Sequence, residues 1–196
     1  MFENILCQLP DYDADAILPL IELAIEIARE GREGRRIGTL FTFGDEAAVL
    51  AASRPLILDP LAGHPDEARR MTDPNLRGTI KELAQLDGAF VVTGGGIFVA
   101  ACRYLNSMAA PALDLPLGLG SRHLAAAGIS AATKAVGIVV SESSVVRMFC
   151  HGDMVAEIIP ELWLLGHGSV QMRGAISQER IRDLAVITPS APFRRE

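Results

Sequence analysis

The chain reads as one α/β domain, a mixed central β-sheet of about seven strands with helices on both faces. Helix-like and strand-like periodicities alternate along its 196 residues, of which 49% are apolar and 21% charged. Short Gly and Asp-Gly turns link several of the strand-like runs into hairpins. One domain of this length can bury a substantial core. It is expected to span residues 1–188, with a flexible tail at 189–196.

Over residues 13–30, Ile17, Leu20, Ile21, Leu23, Ala24, Ile27 and Ala28 recur at helical spacing, with Glu22, Glu26 and Arg29 between them. Pro19 falls in the first turns, so the regular helix is expected to begin near it. After a loop at 31–36, residues 37–43 are β-branched and aromatic and read as a strand. Residues 45–53 read as a short helix and 55–58 as a short strand. Pro60, Gly63 and Pro65 make 59–72 a loop. Asp73-Pro74 supplies an N-cap and a first-turn proline for a helix over 75–86.

Residues 89–92 and 97–100 flank Thr93-Gly94-Gly95-Gly96 as a hairpin. The glycine triplet lacks both the GK[ST] ending of a P-loop and the GxGxxG spacing before a helix, so it reads as a turn. Residues 121–134 are alanine-rich and helical. Strands at 137–141, 145–149 and 155–159 follow, the last two joined at His151-Gly152-Asp153. Beyond residue 160 the pattern weakens, with a short helix expected over 177–184.

Composition narrows the function. The net charge is −6 and basic residues are scattered or paired with acids, which argues against nucleic acid as a partner. Cys7, Cys102 and Cys150 are odd in number and widely spaced, so they read as small apolar thiols in a reducing cytoplasm rather than a zinc site. The N-terminus is acidic and no apolar run reaches membrane-spanning length, so neither a secretory signal nor a membrane is expected. His64, His151 and His167 fall in loops without ligand spacing, and Trp163 sits between leucines as a packing residue.

Two short segments carry chemistry. Asp87-Gly88-Ala89 stands at the mouth of a strand, and Gly118-Leu119-Gly120-Ser121-Arg122-His123 opens a helix. A carboxylate beside a strand end and a cation at a glycine-introduced helix start suit metal-bound phosphates. Each has a plainer reading: Asp87 as a turn residue, Ser121 as an N-cap and Arg122 as a solvated side chain.

Taken together and in this order, the segments resemble the diadenylate cyclase family, which carries a DGA motif followed by G-[ST]-RHR. The resemblance runs from about residue 37 to about 159 and includes Gly38-Thr39-Leu40, Arg103-Tyr104-Leu105 and Val139-Val140-Ser141-Glu142-Ser143. As a stand-alone soluble form it resembles the archaeal-type cyclases and the N-terminal domain of the DNA-integrity-scanning protein. The departure is Leu124, where the family usually has a second arginine.

The resemblance implies that two ATP molecules are joined into cyclic di-AMP with release of pyrophosphate. It implies catalytic roles for Asp87, Gly88 and Ala89, with Asp87 and Glu142 on a divalent metal, Mg2+ or Mn2+, with Co2+ as a further candidate. ATP would be bound by Gly38, Thr39, Leu40, Tyr104, Leu105, Gly120, Ser121, Arg122, His123, Ser141 and Glu142. Tyr104 is equally readable as a core or interface residue, and Glu142 as a loop acid. The helical DNA-binding domain that some cyclases of the family carry is not expected within these 196 residues. Because each domain holds one ATP, two copies must meet face to face, at least transiently, as a homo-oligomer. The alternative readings are a silent nucleotide- or cyclic di-AMP-binding regulator and an ordinary nucleotide hydrolase.

Overall fold

The computed structural model describes residues 3–9, 12–106, 118–160, 175–181 and 184–190. Its elements are α1 (Glu3–Leu6), α2 (Ala14–Glu30), β1 (Thr39–Phe43), α3 (Glu46–Ala51), β2 (Ser53–Pro55), α4 (Pro74–Leu83), β3 (Ala89–Val92), β4 (Phe98–Leu105), α5 (Ser121–Ala132), β5 (Val136–Val140), β6 (Val146–Cys150), β7 (Asp153–Pro160), β8 (Ile176–Ile181) and β9 (Leu184–Pro189). A 3-10 turn, Asp66–Arg69, lies in the long loop before α4.

The described strands form one nine-stranded sheet in the order β2-β4-β3-β1-β5-β6-β7-β9-β8. β1 pairs with β3 in parallel and with β5 antiparallel, so the sheet is mixed, as expected. Alternate residues of the strands feed two cores. Phe41, Phe90 and Phe98 face α2 and α4, with Phe41 stacked on Phe90 at 5.1 Å between ring centroids. Leu40, Val91 and Val139 face the other way, onto Val49 of α3 and Ala126, Ala127 and Ile129 of α5. The small alanines let α5 lie close to the sheet, and this places its N-terminus over the ends of β5 and β6.

Several boundaries differ from expectation for identifiable reasons. α2 begins at Ala14, before Pro19, because Asp13 caps it by accepting from the Asp15 N–H, and the Pro19 carbonyl receives Arg77 Nη1 at 3.1 Å. The strand expected at 55–58 is Ser53–Pro55, paired with β4, and leaves Leu56, Ile57 and Leu58 exposed. β4 is twice the expected length, with register shifts against β3.

The helix expected over 177–184 is instead β8, followed by β9, which raises the strand count from about seven to nine. Gln178 and Glu179 favour a helix in isolation, but full pairing with the buried strand β9 outweighs that preference. The expected tail is cut back, since Pro189 closes β9 and donors and acceptors continue to Ser190, whose N–H reaches the Ala175 carbonyl. Residues 191–196, Trp163, His167 and most of the 111–120 stretch lie outside the described residues.

Cys102 and Cys150 are buried, whereas Cys7 is exposed. No described helix is long and apolar enough to cross a membrane.

Candidate functional site

The start of α5 and the turn between β5 and β6 enclose a cavity of about 450 Å3, within the range of small-molecule sites. Gly118 to His123 form one wall; Val139 to Ser143 and Arg147 form the other. No side chain caps α5 at Gly120, and the first helical bond runs from Leu124 N–H to the Gly120 carbonyl. The N–H groups of Ser121 and Arg122 therefore have no helical acceptor, and they sit where an anion would be received. Opposite them, Ser141 Oγ lies 2.9 Å from Ser143 Oγ and accepts from Ser143 N–H, which tightens the β5–β6 turn.

Arg122 joins the two motifs. Its Nη1 donates to Glu142 Oε1 at 3.0 Å, and its Nη2 lies 3.7 Å from Asp87 Oδ1. Both carboxylates are largely in solvent, Asp87 at 90% and Glu142 at 68% side-chain exposure. Asp87 reaches the cavity through this contact, for it is not part of the wall itself. Gly38 explains how the three fit: a Cβ there would stand 2.5 Å from Arg122 Nη1 and 3.1 Å from Glu142 Cγ.

Gly88 has a different requirement. Its φ is +104°, and a Cβ would fall within 2.6 Å of the Cys102 backbone on β4. The glycine of the Asp-Gly-Ala motif is thus demanded by the chain's own packing, which sets the strand mouth from which Asp87 projects. Ala89 is the first, buried residue of β3.

Beneath the open cluster lies a buried one. Arg147 Nε and Nη2 donate to Glu157 Oε1 at 2.8 and 2.6 Å, across the register pair of β6 and β7. Arg147 Nη1 lies 3.2 Å from His123 Nε2. A guanidinium can only donate, so Nε2 is the acceptor and the imidazole proton sits on Nδ1, which has no hydrogen-bond partner among the described residues. Burial first, then the Arg147 charge, pull His123 down to about 4; the Gly120 backbone opposes this, and the Arg122 charge adds the least. His123 is neutral at neutral pH.

Gly38, Gly120, Ser121, Arg122, His123, Ser141 and Glu142 thus gather at one place, with Asp87 tied in. Thr39 and Leu40 are buried in β1 beside it, and Thr39 Oγ1 has no partner among the described residues. Tyr104 and Leu105 do not line this cavity. Tyr104 is exposed on β4, three strands from β5, with the Arg54 guanidinium 4.6 Å above its ring, and Leu105 is buried on the α5 side of the sheet.

Among the described residues no three His, Cys, Asp or Glu side chains cluster as metal ligands. Asp87 and Glu142 nevertheless offer solvent-facing hard oxygens on either side of one guanidinium. That donor set fits Mg2+ or Mn2+, which are commonly held by one or two carboxylates plus water and substrate phosphates.

Sequence reasoning missed Glu157, and it offered Arg147 only beside Arg103 as a cation that could compensate for Leu124, without placing either. The signal was there: Arg147 is the lone charge of β6, Glu157 stands alone within the apolar run 154–159, the two charges are opposite, and the strands are joined by a short turn.

The chain matches the family model described as the DisA bacterial checkpoint controller nucleotide-binding (DAC) domain over residues 26–154. It is 47% identical over 147 residues to a diadenylate cyclase of Methanocaldococcus jannaschii, covering 74% of this chain and 46% of that protein. A diadenylate cyclase of Haloferax volcanii is 40% identical over 152 residues, covering 77% of this chain and 55% of that one. The chain therefore spans about half the length of these curated relatives. Among solved structures, one titled a hypothetical membrane spanning protein from Bacillus cereus aligns with a TM-score of 0.52 at 19% identity, over 75% of this chain and 65% of that one, a likeness of fold.

Proposed function

Since the chain belongs to the diadenylate cyclase family, we propose that it condenses two ATP into cyclic di-AMP and two pyrophosphates. The observation that carries this reading is the meeting of the two motifs on Arg122, between Asp87 and Glu142 at the mouth of the cavity. Phosphoryl transfer is driven by positioning and by neutralising spreading negative charge, and this is where cations, backbone donors and carboxylates converge.

In each of two equivalent transfers, a ribose 3′-hydroxyl attacks the α-phosphorus of the other ATP. The bond to the β-phosphate bridging oxygen breaks, and pyrophosphate leaves with its electron pair. The N–H groups at the start of α5 and the Arg122 guanidinium receive the triphosphate. Asp87, whose carboxylate is open to solvent, accepts the hydroxyl proton. Asp87 and Glu142 would hold the divalent cation, which supplies further charge neutralisation when bound.

One chain carries one Asp-Gly-Ala and one Ser-Arg-His, so two copies must face each other for both bonds to form, at least transiently. The cytoplasm, with its ATP and reduced thiols, is the matching compartment.

The test is to incubate purified, folded protein with ATP and Mg2+, Mn2+ or Co2+ and separate the products. Cyclic di-AMP and pyrophosphate in a one-to-two ratio are expected. ADP or AMP alone would make the protein a hydrolase, and ATP binding without turnover would make it a regulator.

A further inference from the structure

We propose that Arg147 is a second phosphate-binding guanidinium of this site, presented from the sheet rather than from the helix. The proposal rests on the reading that the cavity takes the triphosphate of ATP. Among the described residues the only other arginine on the cavity wall, Arg122, is already engaged by two carboxylates, and the residue two positions after it, Leu124, offers no cation and is 48% exposed on the surface of α5.

Arg103 does not make up the difference. It donates to the Leu50 and Ser53 carbonyls and to Ser53 Oγ, at the far edge of the sheet. Arg147 lines the cavity. A guanidinium has five N–H donors, and Glu157 takes those on Nε and Nη2 while His123 takes one on Nη1. One N–H on each terminal nitrogen is left without a partner among the described residues.

The plane of the group is fixed at both ends, by a fully buried carboxylate and by an imidazole that accepts without competing for the anion. Such a fork is oriented before the ligand arrives, and a planar pair of N–H groups matches two phosphate oxygens. His123 then serves chiefly as a brace for Arg147.

The experiment is calorimetric titration with tripolyphosphate, ATP and adenosine. Arg147→Met combined with Glu157→Leu removes the buried pair without leaving either charge alone, so the fold should survive. This variant is expected to lose about 10- to 100-fold in tripolyphosphate and ATP affinity, the scale of one charge-assisted contact, with adenosine unchanged. If it does not fold, Arg147→Lys keeps the charge opposite Glu157 without the fork, and a loss of about 5-fold or more for tripolyphosphate is expected. Unchanged tripolyphosphate affinity in either folded variant overturns the proposal. Wild-type protein that binds tripolyphosphate but not ATP, with the loss seen in the variant, keeps the proposal and removes the cyclase reading. Wild-type protein that binds neither overturns both.

Discussion

Asp87, Arg122 and Glu142 touch at 3.7 and 3.0 Å with most of both carboxylates in water, whereas Arg147 and Glu157 meet at 2.6 Å with almost no exposure. An exposed pair of this kind contributes roughly 0–1 kcal/mol, so a ligand can rearrange it at little cost. A buried pair behaves differently, because losing one partner strands the other charge in a low dielectric. The open cluster is therefore free to rearrange around a ligand, whereas the buried cluster holds Arg147 in one fixed orientation. Substitutions in the two should fail in different ways.

The largest effect is expected at Asp87. Asp87→Asn should cut cyclic di-AMP formation about 10²- to 10⁴-fold, the usual scale of a lost general base, while the urea midpoint stays within error of wild type. Loss of stability comparable to the loss of activity would place Asp87 with the buried group and break the comparison.

Arg147→Met alone should cost stability as well as phosphate affinity. With the Arg147 guanidinium withdrawn from the buried Glu157 carboxylate, equilibrium unfolding is expected to show a loss of about 3–5 kcal/mol, and Glu157→Leu added to it should restore much of that. A single variant as stable as wild type would mean that the buried carboxylate has been relieved elsewhere.

The same contrast decides what was legible in the sequence. Asp87, Arg122 and Glu142 were legible because short motifs and turn chemistry mark residues that project from strand ends and helix starts. Their meeting was not, since it depends on α5 crossing the sheet close enough to reach β5, and on Gly38 leaving room beneath Arg122. Arg147 could be named as a candidate cation but not placed, because only the register of β6 on β7 sets it against Glu157.

The first seven strands of the chain, with β2 displaced by about two residues, and both helical faces followed from periodicity. β8 and β9 did not, because β9 reads as a bare apolar run and the partner it pairs with is polar enough to suggest a helix. The packing need at Gly88 was not legible either, because it comes from the β4 backbone lying against it.

His123 gives a smaller effect with a definite sign. Its folded value of about 4 lies below the ordinary 6.5, so as pH falls through 6.5 the unfolded chain takes up the proton first. Stability attributable to this group should be full above pH 6.5, decline as pH drops towards 4 by on the order of 3 kcal/mol, and stay level below that. Urea midpoints across this range, compared with those of His123→Gln, would reveal the slope. Parallel curves for the two proteins would show that the imidazole is not held neutral by burial and Arg147.

Leu124→Arg is expected to have the mildest consequence. It adds a guanidinium to the open side of the site, and a gain of about 10-fold in ATP affinity or turnover is consistent with one charge-assisted contact of roughly 1.5 kcal/mol. A jump from no detectable activity would instead identify the wild-type protein as a silent nucleotide binder.

The most direct measurement is cyclic di-AMP formed from ATP per subunit across a protein dilution series. The account expects cyclic di-AMP as product, with specific activity constant at high concentration and falling as the protein is diluted below the dissociation constant of its assembly, because one chain supplies only half of the reacting pair. Absence of cyclic dinucleotide at every concentration, or a specific activity that stays constant far below that dissociation constant, would contradict it.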